Sequence, residues 1–296
     1  MHCRRSPVQR GRLVGLLIVL AASSLALAAC GGSPSEPRTE TPADHRDQTL
    51  SPTAPASDRS SERGDWEIGA SPLPTRPDGF GRVLPTPPQL RVRRLPTVDR
   101  LPPPESERFE SSIRRIGPQI RSRMDRTWTP GCPVPLADLR YVTVSFRGFD
   151  GKAHTGELVL NARVVPDVVS VFQKLYVADF PIETMRLVTG PDLDAPPTGD
   201  GNNTSAFVCR KARQQSNWST HAYGLAVDVN PFHNPYLRDG LVLPELAGAY
   251  LNRDWHRPGM IRDGGVVTEA FDDIGWTWGG SWHSTTDYMH FSATGR

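Results

Sequence analysis

The chain has 296 residues, 34 basic against 32 acidic side chains, 29 prolines and four cysteines. A formal charge of +2 leaves no basic excess of the kind that points to nucleic acid. The length suffices for a domain with a real core beside other segments.

Arg4, Arg5, Arg10 and Arg12 form a positive leader with no acid near it, followed by an apolar run from Leu13 to Leu20 and small residues up to Ala29. Residues 1–29 read as a secretory signal peptide, too short and too strongly flanked for a membrane-spanning helix. Leu27-Ala28-Ala29-Cys30 resembles the lipobox of bacterial lipoproteins. That likeness implies cleavage before Cys30, diacylation of its thiol, and anchoring to the outer face of the cytoplasmic membrane. The alternative is an ordinary cleavage site with a cysteine beside it. Two acyl chains anchor stably where one binds only marginally. Losing the four leader arginines takes the formal charge from +2 to −2, so the slight basicity belongs to the leader. With Cys3 removed and Cys30 lipidated, Cys132 and Cys209 remain. Two cysteines in an exported domain are expected to pair; two free buried thiols are the alternative.

From Gly31 to Pro104 the chain carries 15 of the 29 prolines among Ser, Thr, Gly, Arg and Asp. Sparse apolar residues without periodicity predict a disordered tether over residues 30–104. The texture changes at Glu105. Phe109, Ile113, Ile116, Ile120 and Met124 recur at three- and four-residue intervals, predicting an amphipathic helix interrupted at Gly117-Pro118. Leu139–Arg147 alternates as a strand, Gly148-Phe149-Asp150-Gly151 turns, and Thr155–Leu160 returns. Val164 to Ala178, with Pro166 near its start, predicts a helix. Ile182–Val188 reads as a strand, and a long Gly/Pro/Asp/Asn-rich loop runs on to Asn203. This order predicts one α+β domain over residues 105–296, a small antiparallel sheet with helices.

The residues with chemistry lie further on. Ser219-Thr-His221-Ala-Tyr-Gly224-Leu-Ala-Val-Asp228-Val-Asn230-Pro231 places an aspartate inside an apolar strand, where it is costly to bury unless paired or metal-bound. Asp287-Tyr-Met-His290-Phe291 adds a second acid and a second histidine. Catalytic zinc takes three ligands from His, Asp, Glu or Cys and keeps a position for water. His221, Asp228 and His290 would supply the three, with Asp287 beside them to accept a proton. Each has a plainer reading: a core histidine, a capping aspartate, a local Asp287–His290 pair.

Ser-x-His-x-x-Gly-x-Ala-x-Asp followed by Asp-x-x-His-Phe resembles the signature of the D-alanyl-D-alanine carboxypeptidase family of zinc metallopeptidases. The likeness is closest to the branch of L-alanyl-D-glutamate endopeptidases and phage endolysins. Gly131-Cys132-Pro133, Phe207-Val-Cys209-Arg210, Asn234-Pro235-Tyr236, Gly259-Met260-Ile261 and Gly275-Trp276-Thr-Trp278-Gly279-Gly280-Ser-Trp282 extend it over roughly 105–296. The resemblance implies a Hedgehog/DD-peptidase-like zinc fold, Zn2+ on His221, Asp228 and His290, and Asp287 as catalytic acid/base. Many family members carry Glu at the last position, one methylene longer. Arg210 and Ser219 match substrate-binding positions. The implied substrates are peptidoglycan stem peptides, cut as a D-Ala-D-Ala carboxypeptidase or an L-Ala-D-Glu endopeptidase. The alternative is a catalytically silent zinc-containing lipoprotein that binds the cell wall, since the related Hedgehog fold can use its zinc site for binding. No protein partner follows from the sequence.

Overall fold

The computed structural model describes residues 66–212 and 215–295. The signal peptide, Cys30 and the first part of the expected tether lie outside these residues.

The architecture grows from one long hairpin. Strands β1 (Ser111–Arg115), β2 (Leu139–Arg147) and β3 (Ala153–Asn161) form an antiparallel sheet in that order. β2 and β3 pair from Leu139↔Asn161 to Arg147↔Ala153 around the predicted turn, where Gly151 takes φ +76°. Helices α1 (Pro118–Met124) and α2 (Val165–Val177) flank them. The buried residues of α2, Val165, Val168, Val171, Phe172, Leu175 and Tyr176, recur at helical spacing. Most of that stripe packs on Val142, Val144, Phe146, Leu158 and Leu160. On the other sheet face Tyr141 and Val159 meet Met124, Val134, Leu187 and Phe207. Both faces of the hairpin are therefore buried.

Two expectations are corrected. Residues Ser111–Arg115 form an edge strand on β2, not the first half of a helix, and only Pro118–Met124 is helical. Ile113 is 49% exposed, so its place in the apolar spacing does not reflect a core-facing stripe. The open edge of β2 supplies backbone partners, reinforced by Ser112 Oγ to Thr143 Oγ1 at 2.7 Å. The second correction concerns the proline-rich segment. From Trp66 it is a strap packed on the domain, so the described domain begins well before residue 105. Leu90 is fully buried with Phe232, Leu246 and Tyr250, while Trp66, Leu73, Leu84 and Leu95 pack around them. Arg93 is 2% exposed and donates to Glu183 Oε2 and Oε1 at 2.7 and 2.6 Å and to Asp200 O at 2.7 Å. Proline holds such a strap extended and leaves no N–H to satisfy.

Beyond the hairpin, β4 (Thr184–Met185) pairs in parallel with β5 (Asn203–Thr204), shorter than the predicted 182–188 strand. The loop between them contains α3 (Gly190–Asp194), whose Asp192 accepts from Thr189 N at 2.8 Å and pairs with Arg186. The chain continues through β6 (Ala226–Asp228), β7 (Tyr236–Arg238), β8 (Leu241–Leu243), α4 (Val266–Asp272), β9 (Thr277–Trp278), β10 (Thr286–Asp287) and β11 (His290–Ser292). These strands form two small antiparallel sheets, β6-β11-β9 and β10-β7-β8. Mixed helices and small antiparallel sheets are the α+β architecture the sequence predicts. Cys132 and Cys209 form a disulfide, with Cα atoms 5.8 Å apart.

Candidate metal centre and its cleft

His221 sits in a 3-10 turn, Thr220–Tyr223, closed by Gly224 at φ +66°. A Cβ on Gly224 would lie 2.6 Å from Asn161 N, so glycine lets this turn press against the end of β3. Ser219 caps the turn, its Oγ accepting from His221 N at 3.4 Å. The His221 ring donates through Nδ1 to Ala206 O, which leaves a lone pair on Nε2 when the ring is neutral.

Strand register supplies the other two groups. Antiparallel pairing of β11 with β6 places His290 directly opposite Asp228. His290 Nδ1 lies 3.0 Å from Asp228 Oδ1 and 3.2 Å from His221 Nε2, and His221 Nε2 lies 3.2 Å from Asp228 Oδ1. Burial alone would raise the Asp228 carboxyl. The charge and hydrogen bonds of His221 and His290 outweigh it and hold the group well below the usual carboxylate range.

This near-equilateral triangle fits a tetrahedral ion. Bonds of about 2.0–2.1 Å to N and O at tetrahedral angles separate ligand atoms by about 3.3 Å. Converging donor atoms in a buried pocket otherwise need a shared proton to avoid repulsion. Two imidazoles and one carboxylate are also a donor set that zinc accepts.

The three groups open on a cleft of about 710 Å³ that Asp287, Arg210, Ser219, Trp282 and His283 also line. Asp287 arrives on β10, opposite Tyr236 of β7. A Cβ on Gly279 would lie 2.7 Å from Asp287 O and 3.4 Å from His290 Cβ, so this glycine lets Asp287 and the strand of His290 close over it. The Trp282 ring stands 5.4 Å from that of His290. Arg210 follows the disulfide, its carbonyl accepting from Ser219 N at 3.1 Å.

The residues expected to bind metal, to catalyse and to bind substrate thus share one cleft. His233 is buried elsewhere, 3.1 Å from Asn202 and 3.2 Å from Arg93 O. His256 lies exposed beside Arg262. Trp218 and Arg238 line the cleft without having been selected. Trp218 stacks under Lys211 Nζ at 3.8 Å, and its place beside Ser219 was the available signal.

Residues 212–293 match the sequence profile of a family described as D-alanyl-D-alanine carboxypeptidase. The match contains His221, Asp228, Asp287 and His290 and leaves out Arg210 and the strap. No curated protein and no solved structure matches the chain. The segment that resembles this family thus lies over the two strand pairs that assemble the cleft.

Proposed function

We propose that the protein is a zinc-dependent peptidase with a DD-peptidase-like zinc fold, hydrolysing amide bonds of peptidoglycan stem peptides. In the same reading it is exported, anchored through a diacylated Cys30, and tethered by the residues that precede the strap. The observation that carries the proposal is the triangle of His221 Nε2, Asp228 Oδ1 and His290 Nδ1 in one cleft with a further carboxylate, Asp287.

His221, Asp228 and His290 would hold the ion; bound there, zinc supplies Lewis-acid polarisation of the scissile carbonyl and acidifies water. Asp287 accepts the proton of the attacking water as its oxygen adds to the carbonyl carbon. It returns that proton to the amine nitrogen as the C–N bond breaks. Arg210, at the cleft wall, offers two parallel N–H donors to a substrate carboxylate. Ser219 supports the ligand turn through its cap on His221.

The test incubates the full-length protein with synthetic stem peptides and purified peptidoglycan, with zinc and with chelator, and identifies products by mass spectrometry. Loss of a terminal D-alanine marks a carboxypeptidase; a cut between L-alanine and D-glutamate marks an endopeptidase. Asp287→Asn is expected to keep its zinc, measured by metal analysis, and to lose roughly 10²–10⁴-fold in turnover. Hydrolysis by this variant at the wild-type rate would sink the assignment of Asp287.

A further inference from the structure

The strap builds a second, smaller cleft that continues the first. Residues Thr75 to Gly81 form a tight hairpin, with Arg76 N donating to Phe80 O at 2.7 Å and Gly79 N to Arg76 O at 2.9 Å. The hairpin is fixed to the domain at both ends. Leu73 N donates to Pro197 O at 2.7 Å, and Gly81 N donates to the buried Glu245 carboxylate at 2.8 Å. It is a built wall, and it stands beside the β7–β8 hairpin. Between them lies a cleft of about 120 Å³ lined by Arg76, Asp78, Phe80, Tyr236, Arg238 and Asp239. Tyr236 and Arg238 also line the metal cleft, so the two spaces meet along β7. β7 is the strand that carries Asp287 on its other neighbour, β10.

The lining has a distinct chemistry. Two guanidinium groups, two carboxylates and two aromatic rings face one small space. Arg76 pairs with Asp78 at 2.9 Å, and Arg238 with Asp239 at 3.2 Å. Both pairs are solvent-exposed, with side chains 27–89% accessible, so each is weak and exchanges partners readily. A lone anion would compete with two carboxylates, and a lone cation with two guanidiniums. A group bearing both charges satisfies all four. At about 30 Å³ per water, the space equals about four waters, room for one amino-acid end rather than a folded peptide.

We infer that this strap-built cleft is a substrate subsite for a zwitterionic amino-acid end, an ammonium and a carboxylate on one carbon, carried by the substrate at a distance from the cut bond. The ammonium sits on Asp78 and Asp239, the carboxylate on Arg76 and Arg238, and the carbon skeleton lies against Phe80 and Tyr236. The wall made by Arg76, Asp78 and Phe80 lies outside the segment matched to the peptidase family, while Tyr236, Arg238 and Asp239 lie inside it. The inference rests on the peptidase reading for the identity of the substrate, but not for the binding itself.

The test uses the full-length protein and one peptide scaffold in four forms: a branch ending in a free amino acid, the same branch N-acetylated, the same branch amidated at its carboxylate, and both capped. Dissociation constants are measured by calorimetry with chelator present, and hydrolysis is measured separately with zinc. Each cap is expected to weaken binding roughly threefold to tenfold, the effect of losing one charged contact. In Arg76→Ser, which leaves Arg238 in place, the amide cap loses part of its effect while the acetyl cap keeps its own; Phe80→Ala weakens all four forms alike. Equal affinity of the wild-type protein for all four forms overturns the subsite, and this comparison needs no variant to fold. Discrimination among the four without hydrolysis of any keeps the subsite and overturns the peptidase reading. Hydrolysis without discrimination does the reverse.

Discussion

Replacing Arg93 by alanine tests whether the strap is part of the folded domain. Its guanidinium is wholly buried, as is the Glu183 carboxylate it clasps with two hydrogen bonds of 2.6 and 2.7 Å. It also donates to Asp200 O and lies 4.4 Å from the centre of the Phe232 ring. Removing one member of a buried ion pair leaves its partner's charge uncompensated and costs about 3–5 kcal/mol. Asn202 Nδ2 still donates to Glu183 Oε2 at 2.9 Å, which places the expected loss near the low end of that range. Against a total stability on the order of 5–15 kcal/mol, that is a large fraction. The assay is urea unfolding followed by tryptophan fluorescence, comparing wild type, Arg93→Ala, Glu183→Leu and the pair Arg93→Met with Glu183→Leu. The double variant leaves no unpaired charge and is expected to be less destabilised than the sum of the singles. A loss under about 1 kcal/mol in Arg93→Ala would refute the reasoning, because a buried guanidinium cannot be so cheap unless the strap is already detached. The same result would restore residue 105 as the start of the domain.

Gly279→Ala is expected to push Asp287 and β11 apart, because its Cβ would lie 2.7 Å from Asp287 O. A displacement of that kind costs roughly 10–100-fold in turnover. Wild-type kinetics and zinc affinity in this variant would show that the close approach is unnecessary. A second prediction concerns pH. Burial, reinforced by the Arg93 charge, pushes the His233 imidazole down to about 3 from an ordinary 6.5. The unfolded chain then binds a proton there between pH 6.5 and 3 that the folded chain refuses. This contribution is fully present above pH 6.5 and is lost as the pH falls, by up to about 1.4 kcal/mol per unit. Urea unfolding at a series of pH values is expected to show a shallower slope in His233→Asn than in wild type; parallel curves would contradict the assignment.

What was legible in the sequence follows from how each feature is encoded. The β2–β3 hairpin and α2 announce themselves because each buries a repeating face, and periodicity in sequence is the image of such a face. The strap has no such image. Its Leu84, Leu90 and Leu95 dock one at a time on an irregular path, and Arg93 reads as a surface charge until Glu183, 90 residues away, is brought against it. Ser111–Arg115 misleads for a different reason: three- and four-residue spacing of isoleucines fits a helix, yet the unfilled edge of β2 decides. The tryptophans divide as well. Trp276 is core, Trp278 packs on Phe291 at its edge, and Trp282 faces the cleft.

The site was legible because its spacing is itself a geometric constraint. Asp287 and His290 are three residues apart but belong to different sheets, one through β10 to β7 and the other through β11 to β6. The two residues between them must carry the chain from one sheet to the other without losing backbone partners. Met289 does so by accepting from Val229 N at 2.9 Å through its carbonyl, with its side chain buried. Tyr288 does so by donating to Pro235 O at 3.4 Å and accepting from Trp278 Nε1 at 2.8 Å. Both anchoring carbonyls are therefore met from outside β10 and β11. The anchors Val229 and Pro235 flank the partner strands β6 and β7, the first beside Asn230-Pro231 and the second within Asn234-Pro235. A residue inserted between Asp287 and His290 would break this double registration, turning one of the two side chains out of the cleft. The Asp-x-x-His pattern is thus read from sequence so readily because a cleft shared by two sheets admits little else.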